Sequence, residues 1–191
     1  MPLHLAPSLS RRQFLKHAAL TGAALMLPHE LFAGEHDDTH WALLSDTHIA
    51  ADSDLVFREV HLTNHLRRAV GEVLTMRRPA GVFINGDCAL KDGQPGDYVT
   101  LISVLKPLMS NFPLHLTLGN HDHRQNIRAA LSENKKPVLE SKHVSLIQSS
   151  RANWILLDSL DKVNVTPGLL EEEQRRWLAK TLDAHSDKPA L

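Results

Sequence analysis

Three apolar runs, each closed by a cluster of polar residues, constrain this chain more than any other feature. "WALLS" (Trp41 to Ser45) runs into "DTHIA", with Asp46 and His48; "GVFIN" (Gly81 to Asn85) runs into "GDCA", with Asp87. Residues 114–118, "LHLTL", run into "GNHDHR", with Asn120, His121, Asp122 and His123. Between the first two runs, Leu62, Leu66, Ala69, Val70, Val73 and Leu74 recur at helical spacing and predict an amphipathic helix over 60–77 that stops before Pro79. A second helix is expected over 96–110, closed by Pro107 and Pro113. Alternating strands and helices imply an α/β layered fold. Further on, "HVSLI" (143–147) and "NWILL" (153–157) predict a hairpin. A last helix is expected over 169–182, carrying Glu171, Glu172 and Glu173 in its first turn, where negative charge suits the helix dipole.

Ligands of open α/β sheets sit outside the carboxyl ends of the strands. Three strand ends bearing metal-ligand residue types therefore converge on one crevice. The i, i+2 spacing of Asp46 and His48 lets both side chains leave an extended backbone on the same side. Asp87 and Asn120 directly follow Gly86 and Gly119, and glycine permits the tight turns that aim the next side chain inward. Carboxylate, amide oxygen and imidazole together suit divalent Mn, Fe, Co or Zn.

"DTH", "GD" and "GNHD", in that order behind three strands, resemble the calcineurin-like metallophosphoesterases. "NGDCALKDGQPGDY" and "GNHDHR" look most like the cyclic-nucleotide and glycerophosphodiester phosphodiesterase branch, and the likeness covers residues 41–191. The resemblance implies a layered β-sandwich flanked by helices and a dinuclear site with two divalent metal ions. By the same resemblance, Asp46 and His48 hold the first metal, Asp87 bridges both and Asn120 holds the second. His121 faces the phosphate as general acid or as a donor to the leaving oxygen, with Asp122 supporting it from behind. The resemblance further implies that two such metals would supply a hydroxide that attacks phosphorus in line. The family pattern continues with a histidine at the end of another strand and then Gly-His-x-His. Here the only histidines after His123 are His143 and His185, neither in that context, so the reading predicts a fragment of an enzyme. Its alternative is a truncated, non-catalytic remnant that binds at most one metal weakly.

The N-terminus carries a second resemblance. "SRRQFLK" (10–16), followed by the Ala/Gly/Leu-rich "HAALTGAALMLP", resembles a twin-arginine export signal, with Arg11 and Arg12 as the pair. The apolar run is too short for a membrane span. The division expected is a signal over 1–33, a polar connector over 34–40 and the phosphoesterase domain over 41–191. Partners are then the twin-arginine export machinery and a small phosphorylated substrate, and the location is periplasmic or extracellular. With 21 basic and 22 acidic residues the net charge is −1, so nothing attracts a nucleic acid polymer at long range.

Other groups receive plainer readings. Asp38, Thr39 and His40 repeat "DTH" but precede the strand and read as an exposed tail. His61 and His65 lack the glutamate of a zincin motif and read as flanks of an apolar helix face. Cys88, the lone cysteine, reads as a small packed residue, with thiol chemistry left open by its place beside Asp87. His123 and Arg124 stand open between substrate contact and solvation.

Overall fold

The structure, a computed structural model, describes residues 40–131 and 137–191. The segments expected as export leader and connector, up to residue 39, with Asp38 and Thr39 of the repeated triplet, lie outside the described residues. Strand β1 (Trp41–Ser45) pairs in parallel with β4 (Gly81–Asn85), which pairs in parallel with β5 (Leu114–Thr117), giving the order β1-β4-β5. Parallel neighbours need long crossovers. Helix α1 (Leu62–Thr75) supplies the first and helix α2 (Pro95–Met109) the second. A two-residue ribbon, β2 (Val56–Phe57) with β3 (Val60–His61), precedes α1, so the helix starts later than its apolar spacing suggests. His61 ends that ribbon and caps α1, its Nδ1 accepting from the Asn64 N–H.

The period of two along each strand divides the sheet into two faces. Ala42, Val82, Ile84 and Leu116 point into one core with Leu66, Val70 and Val73 of α1 and Tyr98, Leu101, Leu105 and Leu108 of α2. Trp41, Phe83 and His115 point the other way. There β7 (Asn153–Leu156), paired antiparallel with β6 (Ser145–Gln148), brings Trp154 to 4.8 Å from the Phe83 ring and 5.5 Å from Trp41. Trp41 itself stacks on Phe83 at 4.7 Å. Helices thus cover one face of the parallel sheet and the hairpin the other, the α/β arrangement expected.

Helix α3 (Arg124–Ala130) follows the third strand-end motif directly and was not anticipated; His123 caps it, accepting from the Asn126 N–H. Helix α4 (Glu172–Ala184) starts and ends a little later than expected, with Glu172 and Glu173 in its first turn. Pro107 does not close α2 but lies inside it. The turn beyond it buries Leu108 completely, and that burial offsets the lost helix hydrogen bond. No helix among the described residues is long and apolar enough to cross a membrane.

Candidate metal centre

Because β1, β4 and β5 are parallel, their carboxyl ends share one edge of the sheet. Backbone hydrogen bonds knit the first two loops beyond it: Asp46 N to Gly86 O at 3.3 Å, His48 N to Asp87 O at 3.0 Å and Ile49 N to Cys88 O at 2.9 Å. The third loop joins through the His121 N–H, which donates to Asp87 Oδ1 at 3.0 Å.

Asp46, His48 and Asp87 each present a ligand atom within 4.8 Å of the other two. His48 Nε2 lies 4.0 Å from Asp46 Oδ1 and 4.0 Å from Asp87 Oδ2, beyond hydrogen-bond reach. His48 Nδ1 is buried with no hydrogen-bond partner among the described residues. Bonds of roughly 2.0–2.2 Å to a shared ion put its donor atoms up to about 4 Å apart. Two carboxylates and an imidazole at this spacing therefore fit one divalent cation. Asp46 is 59% exposed at its side chain and Asp87 only 16%, so the cluster opens to solvent on the Asp46 side.

All three residues hold left-handed backbone: φ is 52° at Asp46, 46° at His48 and 42° at Asp87. Residues other than glycine enter that region uncommonly, at a cost of about 1–3 kcal/mol each, and such strain gathers at functional sites. The two glycines act differently from each other. Gly86 takes φ +69°, the turn expected of it. Gly119 matters for space, because a Cβ there would collide with Oδ1 and the backbone nitrogen of Asp87.

The sequence profile of the calcineurin-like phosphoesterases matches residues 40–189. The chain belongs to this family. Residues 8–28 match the twin-arginine translocation pathway signal sequence, which indicates export by that route. A search of curated proteins found no match. Among solved structures, the purple acid phosphatase PPD1 from yellow lupin (Lupinus luteus) seeds is similar at a TM-score of 0.51 and 14% identity, over 76% of this chain and 27% of the lupin chain. That likeness shows a shared fold. The chain spans about a quarter of the lupin enzyme's length.

Family members typically bind metals, and the first two strand-end motifs of this member form the Asp/His cluster. The third motif lies against it. Asn120 sits between Gly119, packed on Asp87, and His121, bonded to Asp87. The His48 and His121 rings meet edge to face, with centroids 5.4 Å apart. His121 Nδ1 lies 2.7 Å from the Lys91 carbonyl and 2.9 Å from Asn164 Oδ1.

Asp122 does not support His121 through its ring. Fully buried, its carboxylate accepts from the backbone N–H groups of Cys88, Ala89 and Gly119 and from the Tyr98 hydroxyl. Burial raises its pKa, and the four donors pull it back. Tyr98, also fully buried, passes the bridge on by accepting from the His123 N–H at 2.7 Å. Burial, reinforced by the Asp122 charge, raises the phenol's pKa and keeps it a donor. Cys88 is packed as expected; burial first, then Asp122, Asp87 and Asp46, push its thiol pKa well up and suppress thiolate chemistry.

Arg124 is held by partners within the protein. It forms a forked pair with Asp158, at 2.6 and 3.1 Å, and donates to the Leu160 carbonyl. Asp158 is fully buried and also accepts from the His143 and Leu160 N–H groups. Its backbone exchanges two bonds with the Gln174 amide of α4. Lys142, 3% exposed, donates to Leu160 O as well. Tyr98, Asn164 and Asp158 were not singled out from sequence. Only Asp158 carried a signal, a carboxylate at the end of an apolar strand, as in Asp46 and Asp87.

Proposed function

We propose that this domain hydrolyses phosphoesters with divalent metal ions, favouring diesters over monoesters. The observation that carries the reading is the Asp46, His48 and Asp87 cluster, held on left-handed backbone at the carboxyl edge of a parallel sheet. Asp46 and His48 would hold one ion, Asp87 would be shared between two, and Asn120 would hold the second. Such ions supply Lewis acidity and lower the pKa of water toward neutrality. The chain's own contribution is orientation: His121 would present Nε2 to the leaving oxygen as general acid. The diester preference and the cyclic-nucleotide or glycerophosphodiester branch rest on the likeness of "NGDCALKDGQPGDY" and "GNHDHR" to that branch. A leader ending near residue 33, a connector over 34–40, a domain over 41–191 and a periplasmic or extracellular location belong to the same proposal.

The test is Mn²⁺ or Co²⁺ titration of the full chain by calorimetry, together with turnover of bis(p-nitrophenyl) phosphate and p-nitrophenyl phosphate. The reading expects metal binding, faster cleavage of the diester and loss of both binding and turnover in Asp87→Asn. Binding without turnover would favour the non-catalytic alternative. Turnover that survives Asp87→Asn would overturn the site assignment.

A further inference from the structure

Asn164 lies on the connection between β7 and α4, far in sequence from every strand-end motif, yet it reaches His121 and Asn120 at once. Its backbone N–H donates to the Asn120 carbonyl at 2.7 Å. Its side-chain Oδ1 meets His121 Nδ1 at 2.9 Å, where the Lys91 carbonyl also lies, at 2.7 Å. A backbone carbonyl can only accept, so His121 Nδ1 must carry a hydrogen, which the two oxygens share. That assignment leaves Nε2 as the ring's other polar atom and settles which edge of the imidazole is held by the protein.

The connection is itself anchored. Leu169 N donates to Ser159 O at 2.8 Å and Val165 N to Lys162 O at 3.1 Å. The Leu160 carbonyl, at its start, accepts from Arg124 and from Lys142. Asn164 has φ 61°, a left-handed conformation that asparagine tolerates better than most residues. Backbone conformation and side-chain chemistry thus agree on asparagine at this position.

We propose that Asn164 is a positioning residue for the phosphoester-cleaving site: beside the Lys91 carbonyl it gives the His121 Nδ1–H a second acceptor and fixes the direction of Nε2, where the imidazolium would carry the proton it donates. This rests on the role proposed above for His121, but the Nδ1–H proton can be read without any reaction. Asn164→Gly keeps the left-handed backbone and the bond to Asn120 while removing the amide oxygen. Asn164→Asp keeps an oxygen on Nδ1–H and strengthens the bond by adding charge.

The experiment is ¹⁵N-detected histidine side-chain NMR on the full chain, with His121 assigned by its loss in His121→Gln, at a pH where the ring is neutral. The wild type should show the Nδ1–H pattern. Asn164→Gly should keep it, because the Lys91 carbonyl remains, but with the Nδ1–H proton moved upfield, and Asn164→Asp should move that proton downfield of the wild type. An unmoved Nδ1–H proton in Asn164→Gly overturns the proposal. Should that variant fail to fold, an unshifted Nδ1–H proton in Asn164→Asp overturns it instead. Where the chain turns over diester, Asn164→Gly should lower kcat by about 10–100-fold with little change in KM, and failure of Asn164→Asp to recover it also counts against the proposal. A chain that never turns over removes the proposed function and leaves the NMR result standing.

Discussion

The backbone N–H of His121 donates to Oδ1 of Asp87 at 3.0 Å, so two strand-end loops are joined by the same carboxylate whose Oδ2 faces His48 Nε2 at 4.0 Å. Loop geometry and ligand geometry are therefore one structure. The variants below separate what holds the site from what the site does.

Asp46→Gly should stabilise the metal-free chain while abolishing metal binding. Glycine accepts φ 52° without strain, and the exposed Asp46 carboxylate contributes little packing. The expected gain is about 1 kcal/mol in urea denaturation with chelator present. The same variant should show no Mn²⁺ heat signal. A loss of metal-free stability would mean that the left-handed turn is not strained.

Tyr98→Phe removes one hydroxyl and strands two partners, the buried Asp122 carboxylate and the His123 N–H. The cost should be about 1–3 kcal/mol. Amide exchange at His123 should accelerate more than at residues of α1, which takes no part in the bridge.

Arg124→Met leaves Asp158 fully buried and short of its cation. Breaking one side of such a pair should cost about 3–5 kcal/mol. The double variant with Asp158→Asn should lose less than the two single losses added, because the stranded charge is then gone. Additive losses in a denaturation cycle would show that the pair contributes no coupling.

His115, in the ring cluster with Trp41 and Phe83, has its pKa lowered by burial. The unfolded chain therefore takes up its proton first as pH falls. Stability from this residue should be intact above the unfolded value of about 6.5 and decline below it, levelling off once pH drops beneath the folded value. His115→Phe should flatten that part of the profile of melting temperature against pH.

The sequence by itself determined the strands behind the motifs, the crossover helices and the residues brought to the edge of the sheet. These are local properties: the alternation of Val82, Phe83 and Ile84, the helical spacing of Leu66, Val70 and Val73, and glycines placed before Asp87 and Asn120. Tertiary structure alone decided what restrains those residues. Tyr98 lies 24 positions from Asp122 and Asn164 lies 43 from His121, and no periodicity or motif links residues so far apart. The same holds for Pro107, where a local rule predicts a helix end and burial of Leu108 overrides it. Arg124 stood open between substrate and solvent until Asp158, 34 positions on, supplied its partner. Ligand chemistry is written in residue types, whereas the hydrogen bonds that aim it form only when distant segments are packed together and buried donors must find acceptors.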